Sequence, residues 1–186
     1  MSTDENLRWR PLSEGAPAGY LKVVSRLYRY PDGRTDTWDI LLGGSSVAAL
    51  ALTDDEQVVL ARQFRPGPGA VLLELPGGLV EDGEDVVDAA LRELREETGY
   101  TAASADLVMQ TYLASYATQR RHAVVARGCA RAGEPRLDPG EFIEPILMPI
   151  DDFVPYVLTG RLTDTDLALA ALVAAGYLQP TTRPHR

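Results

Sequence analysis

The stretch GEDVVDAALRELREETGY, residues 83–100, decides how the surrounding chain folds. Apolar side chains from Val87 to Leu94 recur at the spacing of one helical face, which predicts an amphipathic helix packed on a core. Asp85 precedes this run as an N-cap, and Gly99 follows it as a stop. The rest of the chain is therefore interpreted around one well-delimited helix.

Three glutamates of this helix, Glu93, Glu96 and Glu97, stand at i, i+3 and i+4, so their carboxylates project from the same side. Like charges at this spacing cost roughly 0.2–0.5 kcal/mol per pair, and the nearby helix C-terminus also disfavours anions. Local helix stability does not account for them. A solvated acidic face is the ordinary interpretation, and a site that needs clustered carboxylates is the alternative.

The composition favours one globular core and a small-molecule ligand. A chain of 186 residues with 45% hydrophobic content can bury a single core, and a net charge of −9 argues against a nucleic-acid partner. No stretch approaches the ~18 apolar residues of a membrane-spanning helix, so no membrane partner is expected. Cys129 is the only cysteine, which fits a reducing cytoplasm.

Turn signals divide the chain into strands that outnumber the helices. Strand-like runs flank the turns PDG and DDE, which predicts hairpins over residues 20–44 and 45–64. A further strand is expected at 71–78, and others lie within 105–150. Helices are expected at about 150–159 and 164–175, the second capped by Thr163 or Asp164 and ended by Gly176.

This order of elements predicts an α/β protein of the α+β kind. The helices do not alternate regularly with the strands, which favours a mixed sheet flanked by helices, with an N-terminal antiparallel hairpin. We expect a flexible N-terminal arm over residues 1–17, a single domain over 18–180 and a C-terminal tail over 181–186.

A longer pattern around the helix gives the glutamates a function. Gly78, five residues, Glu84, seven residues and then the run from Arg92 to Gly99 resemble, position for position, the signature of the Nudix hydrolases. Tyr100 stands where that signature usually has an aliphatic residue. The resemblance implies a mixed sheet sandwiched between helices, and hydrolysis of a nucleoside diphosphate linked to another moiety.

The resemblance also implies a metal site. Glu93 and Glu97 would be the principal ligands of Mg²⁺, with Mn²⁺ as a substitute, Glu96 would assist a second ion or its water shell, and the Gly77 carbonyl would contribute from the preceding loop. Hard divalent cations prefer oxygen ligands, so the residue types suit this role. Metal ions would supply most of the catalysis by neutralising charge and activating water.

Two more residues of the signature bear on the glutamates. Arg92 is interpreted as the cation that orients them and offsets their repulsion. Glu84 is open between a structural role in the loop and a catalytic one.

The substrate class comes from a second resemblance. LARQFRPG, residues 60–67, followed by VLLELPGGLVEDGE, residues 71–84, resembles the ADP-ribose and nucleoside-diphosphate-sugar pyrophosphatase branch of the family. Arg62 and Arg65 are the candidate phosphate contacts. Their spacing of three on a strand prevents both from facing one side squarely.

In that branch a downstream acidic loop often supplies the general base. The segment 138–153 offers Glu141 and Glu144. We favour Glu141, because it follows the loop signal DPG, whereas Glu144 lies in FIEPI, where it could instead be an edge-strand charge.

The segment ASYATQRRH, residues 114–122, departs from that branch, which commonly has Ser-Pro-Gly here. Tyr116 resembles instead the base-stacking tyrosine of dinucleoside polyphosphate hydrolases, and Arg121 could engage an extra phosphate. An exposed loop or strand start is the alternative interpretation. Substrate identity within the family therefore stays open.

The resemblance further implies a homodimer in which strands at about residues 18–42 cross to the partner. A non-catalytic nucleotide-binding or sensor module is a distinct alternative. We expect a hydrolase, because the carboxylate set is complete.

Overall fold

The computed structural model describes residues 10–15 and 21–179. The strands are β1 (Arg10–Glu14), β2 (Lys22–Arg29), β3 (Thr35–Leu42), β4 (Ser45–Leu52), β5 (Gln57–Arg65), β6 (Ala70–Glu74), β7 (Gly77–Leu79), β8 (Tyr100–Thr101), β9 (Ser104–Tyr112), β10 (Arg120–Arg127), β11 (Ala130–Arg131) and β12 (Ile143–Pro149). The helices are α1 (Val86–Thr98), α2 (Ile150–Val157) and α3 (Thr165–Ala175).

A seven-stranded sheet lies at the centre of the fold, in the order β12-β5-β4-β10-β9, with β6 paired to β5 and β7 paired to β4. Neighbouring side chains of β4 pack in different core clusters. Leu50 packs with Phe153 of α2 and Leu172 of α3, whereas Ala49 packs with Ala90 of α1. The sheet is thus buried on both faces, with α1 on one side and the C-terminal helices on the other. This confirms the predicted α+β fold with a sheet between helices.

Both predicted hairpins are confirmed. β2 and β3 pair antiparallel around the PDG turn, and β4 and β5 pair antiparallel after the DDE turn. The N-terminal arm is corrected in part, because β1 lies inside residues 1–17 and pairs antiparallel with β2. Pairing satisfies backbone groups along residues 10–14, which a free arm would leave to water. Residues 1–9 and the predicted tail, 181–186, lie outside the described residues.

The chain divides into two compact units. One contains the chain up to Gly44 together with Tyr112–Arg120, and the other contains Ser45–Thr111 and the chain from Arg121 onward. The single domain over 18–180 stays a prediction. Within the described ranges, none of the helices has the length and apolarity needed to cross a membrane.

The ends of α1 follow the sequence signals. Asp85 accepts hydrogen bonds from the amides of Val87 and Asp88 at 2.8 and 3.4 Å, which satisfies N–H groups of the first turn. Gly99 ends the helix in the left-handed region at a φ of 75°. These two caps confirm the predicted start and end of the helix.

α3 ends at Gly176 as predicted, with a φ of 91°. Its start also falls where the sequence predicts it. Asp164 occupies the N-cap position but makes no capping hydrogen bond with its side chain, because that carboxylate binds Arg121.

Candidate active site

The acidic cluster is defined as Glu93, Glu96 and Glu97. Glu97 and Glu93 lie against Gly77 and Gly78 of β7, whereas Glu96 is partly exposed and binds Arg92. Leu94 of the same turn is fully buried in the core, which anchors this part of the helix. Glu97 is only 4% exposed, and its Oε2 accepts a hydrogen bond of 2.9 Å from the amide of Gly77. The fold therefore holds a carboxylate inside the protein against a neutral partner.

Two glycines make this close approach feasible. A Cβ at Gly77 would lie 2.1 Å from the carbonyl oxygen of Val47, and one at Gly78 would lie 2.4 Å from Oε1 of Glu93. Neither position can hold a side chain without displacing β4 or the carboxylate. Gly78 in particular leaves the space that the Glu93 carboxylate fills.

Arg92 joins three carboxylates. Its Nε donates to Glu84 Oε1 at 2.8 Å, and its Nη1 donates to Glu93 Oε1 at 2.9 Å and Glu96 Oε2 at 3.1 Å. Its Nη2 also donates to the carbonyl of Leu79 at 2.9 Å. Glu84, followed by Glu93 and Glu96, raises the pKa of Arg92 above its ordinary value, so the guanidinium is permanently charged.

The negative charge exceeds what Arg92 can compensate. Burial raises the pKa of Glu97 to about 8, and the nearby Glu93 and Glu141 act in the same direction. Burial also raises the pKa of Glu93, although Arg92 opposes this effect. A proton or a cation would relieve this excess charge, and the two would compete for the same oxygens.

Whether a divalent cation fits the acidic cluster depends on the arrangement and the chemistry of its side chains. Among them, no three His, Cys, Asp or Glu side chains are gathered into a ready-made metal site. The predicted convergence of the acidic cluster is thus not formed in this arrangement, because Arg92 Nη1 lies between Glu93 and Glu96. The donor chemistry nevertheless fits: the groups are carboxylate oxygens, and buried Glu97 contacts an amide rather than a cation.

The two candidate bases lie in different surroundings. Glu141 is exposed, its Oε2 accepts from the amide of Asp138 at 3.0 Å, and its charge is close enough to raise the pKa of both Glu93 and Glu97. Glu144 of β12 instead accepts from Arg62 Nη1 at 2.6 Å across the strand pair. The charge of Glu141 thus acts on the acidic cluster, whereas Glu144 is paired with Arg62; which of the two is the base stays a prediction.

Arg62 and Glu141 line one surface groove of about 480 Å³. Phe64 and Phe142 also line it and are 58% and 86% exposed. The Nε2 of Gln63, another lining residue, is buried without a hydrogen-bond partner in the described structure. Arg62 itself is half exposed in its pair with Glu144.

Arg65 differs from Arg62, as the spacing of three predicts. Its Nε donates to Oε2 of Glu74, a carboxylate that is 0% exposed, while the Arg65 side chain remains 37% exposed. The hydroxyl of Thr163 donates to the other oxygen of Glu74. Sequence reasoning singled out Arg65 but missed Glu74, whose only signal was a carboxylate within the apolar strand VLLEL.

Arg121 requires a correction. It is 8% exposed and binds Asp166 with Nη1 at 2.8 and 2.9 Å and Asp164 with Nη2 at 2.6 Å. Since both terminal nitrogens are occupied by aspartates, we assign Arg121 a structural role instead of the predicted phosphate contact. Tyr116, in the other compact unit, is 57% exposed, and its role in substrate binding stays a prediction.

Comparison with known proteins decides the family. Residues 43–167 match the NUDIX domain family. The chain belongs to the Nudix family. The match spans the sheet, α1 and the acidic cluster. Nudix hydrolases generally use a divalent metal ion, and this Nudix hydrolase carries the carboxylates of the signature in full.

Three relatives narrow the comparison. The methanol dehydrogenase activator of Bacillus methanolicus is 31% identical over 80% of this chain and 80% of its own. The ADP-ribose pyrophosphatase of Bacillus subtilis (strain 168) is 32% identical over 75% of this chain and 77% of its own. The ADP-sugar pyrophosphatase of Mus musculus is 34% identical over 77% of this chain and 72% of its own.

A solved structure supports the fold. The crystal structure of an ADP compounds hydrolase superposes with a TM-score of 0.76 over 92% of this chain and 98% of that chain, at 20% identity. The shared architecture extends well beyond the signature helix.

Proposed function

We propose that this Nudix hydrolase is a Mg²⁺-dependent pyrophosphohydrolase that cleaves ADP-ribose or a related nucleotide sugar to a nucleoside monophosphate and a sugar phosphate. The similarity to an ADP-ribose pyrophosphatase and an ADP-sugar pyrophosphatase supports the substrate class. The observation that carries the proposal is Glu97, a buried carboxylate held by a neutral amide beside Glu93. Such uncompensated charge fits a site whose partner is a cation.

In this proposal Glu93 and Glu97 hold the metal ion, assisted by Glu96 and the Gly77 carbonyl. A bound Mg²⁺ would neutralise charge on the diphosphate and favour attack by water. Arg92 holds three carboxylates in place, because its guanidinium donates hydrogen bonds to Glu84, Glu93 and Glu96. Glu84 serves as the structural anchor of Arg92.

Glu141 is our proposed general base. Its carboxylate would accept a proton from the water that attacks phosphorus, while the phosphorus–oxygen bond to the other phosphate breaks. It lies in the loop before β12, and its charge reaches both Glu93 and Glu97. Glu144 is occupied by Arg62, so we place it outside the proton transfer.

Arg65 is our proposed phosphate contact, because its side chain is partly exposed and close enough to lower the pKa of Glu97. We also propose that the protein is cytoplasmic, which its single buried thiol, Cys129, supports. We further propose that it is a homodimer, as the resemblance to the pyrophosphatase branch implies.

A substrate panel tests the proposal. ADP-ribose, other nucleotide sugars, dinucleoside polyphosphates and nucleoside triphosphates would be incubated with the enzyme and Mg²⁺ or Mn²⁺, and the products separated by chromatography. We expect AMP and ribose 5-phosphate from ADP-ribose, and no turnover in a chelator. Turnover of dinucleoside polyphosphates alone would move the protein to that class, and tight nucleotide binding without turnover would make it a sensor module.

A further inference from the structure

Glu74 is a buried carboxylate that the proposed reaction does not use. It ends β6, three residues before Gly77, and is 0% exposed. Its two oxygens take different donors: Arg65 Nε binds Oε2, and the hydroxyl of Thr163 binds Oε1. A carboxylate in such a place is costly unless it is paired and hydrogen-bonded, so Glu74 and Arg65 depend on each other.

The contact with Glu74 leaves the outer end of Arg65 available. The pair is formed through Nε, and neither terminal nitrogen of Arg65 has a carboxylate partner among the described residues. The side chain is 37% exposed, and its charge lowers the pKa of Glu97. The charge of Arg65 therefore lies near Glu97, and part of its side chain remains exposed.

We infer that Glu74 is a positioning residue, which holds Arg65 through Nε so that its two terminal nitrogens are presented to the diphosphate of the substrate. The inference rests on the proposed function. A guanidinium binds phosphate best as a planar fork with both terminal nitrogens engaged, and its long side chain must be fixed for this. Thr163 in turn holds the second oxygen of Glu74, which prevents the carboxylate from rotating away.

Arg62 on the same strand shows the contrast. Its pair with Glu144 uses a terminal nitrogen, Nη1, and both side chains are at least half exposed. An exposed pair of this kind adds little stability, whereas Arg65 is held by a carboxylate that is 0% exposed. Of the two arginines, Arg65 is thus the one whose orientation the fold determines.

The test is a double-mutant cycle on the hydrolysis of the best substrate from the panel. Glu74→Gln keeps an acceptor but removes the charge, so we expect KM to rise about tenfold, equivalent to about 1.4 kcal/mol, with kcat within about twofold of wild type. Arg65→Ala should raise KM at least as much. The double variant should match Arg65→Ala, because Glu74 acts only through Arg65.

Two further variants separate positioning from stability. Thr163→Val removes the hydroxyl that donates to Oε1 of Glu74, while the Thr163 amide still donates to that oxygen at 3.4 Å, so we expect KM to rise only about threefold. Asp166→Asn weakens another arginine pair of this unit and should lower the melting temperature without changing KM. If Glu74→Gln does not fold, Thr163→Val decides the matter.

Three results would overturn the inference: a wild-type KM in folded Glu74→Gln, a wild-type KM in Thr163→Val, or a Glu74→Gln effect that persists in the Arg65→Ala background. Failure of the proposed function looks different, because the wild-type enzyme would then hydrolyse no nucleoside diphosphate at all.

Discussion

Charge is compensated differently in two clusters of this protein. One is the acidic cluster of α1, and the other is the α3 ion cluster, defined as Arg121, Asp164 and Asp166. Arg121 reaches both aspartates with its two terminal nitrogens at 2.6–2.9 Å. In the acidic cluster, Arg92 contacts Glu93 and Glu96, while buried Glu97 is held by a backbone amide. In the α3 ion cluster each aspartate binds the arginine, whereas in the acidic cluster Glu97 binds a backbone amide instead.

We interpret this difference as one between a structural ion cluster and the ligand site that we propose. The α3 ion cluster ties β10 to the first turn of α3; burial raises the pKa of Asp164 there too, but the hydrogen bond and charge of Arg121 oppose this effect. In the acidic cluster burial raises the pKa of Glu97 to about 8, and the hydrogen-bond donor to this carboxylate among the described residues is a backbone amide, which fits the cation site that we propose. The variants below are chosen to break one cluster at a time.

Glu97→Gln should have the largest effect. It removes a ligand charge from the acidic cluster and should lower kcat on the order of 10³-fold in saturating Mg²⁺, because the cation loses its principal anchor. The melting temperature should stay level or rise, since a buried like charge is removed. Steady-state kinetics and thermal unfolding check both, and turnover close to wild type would remove Glu97 from the site.

Arg121→Gln should act on stability instead. Removing the arginine leaves the carboxylates of Asp164 and Asp166 without their cation; Asp166 is half exposed, so the cost comes mainly from partly buried Asp164 and should be about 2 kcal/mol. Urea unfolding measures this loss. The KM of the folded variant at low temperature should match wild type, and a large rise in KM would restore Arg121 as a phosphate contact.

Glu141→Gln should lower kcat about 100-fold with little change in KM, because a general base acts in the transition state. Glu144→Gln should do much less, since Glu144 is paired with Arg62. If the two effects are reversed, the base comes from β12. If neither variant loses activity, the water is activated without a base from this segment.

Asp85→Ala should have the smallest effect of the series. It removes the side chain that caps α1 and should cost about 1 kcal/mol in urea unfolding. A matched loss is not expected from Asp164→Ala through capping, because that side chain makes no capping hydrogen bond. A normal unfolding curve for Asp85→Ala would show that core packing alone defines the start of α1.

The sequence was sufficient for the elements whose signals are local. α1 with its caps, both hairpins and Gly176 as the end of α3 depend on turn residues and on apolar spacing within a few positions. The Nudix signature located the acidic cluster, because its three glutamates lie close together in the sequence on one helix.

The remaining site contacts join residues far apart in the sequence, and no local pattern predicts them. Arg121 lies 43 positions from Asp164, and Glu74 lies 89 positions from Thr163. A sequence shows that such residues carry charge, but the tertiary fold decides which partner each one finds. That is why Asp164 was expected to be a helix cap and Arg121 a phosphate contact.

The central proposal is that the acidic cluster binds a divalent cation, and thermal unfolding with and without Mg²⁺ tests it most directly. We predict that Mg²⁺ at about 100 times its Kd stabilises the wild-type protein by about 2.7 kcal/mol. Asp166→Asn should gain as much, and Glu97→Gln little or nothing. Equal stabilisation of all three proteins, or none of the wild type by either Mg²⁺ or Mn²⁺, would contradict the account.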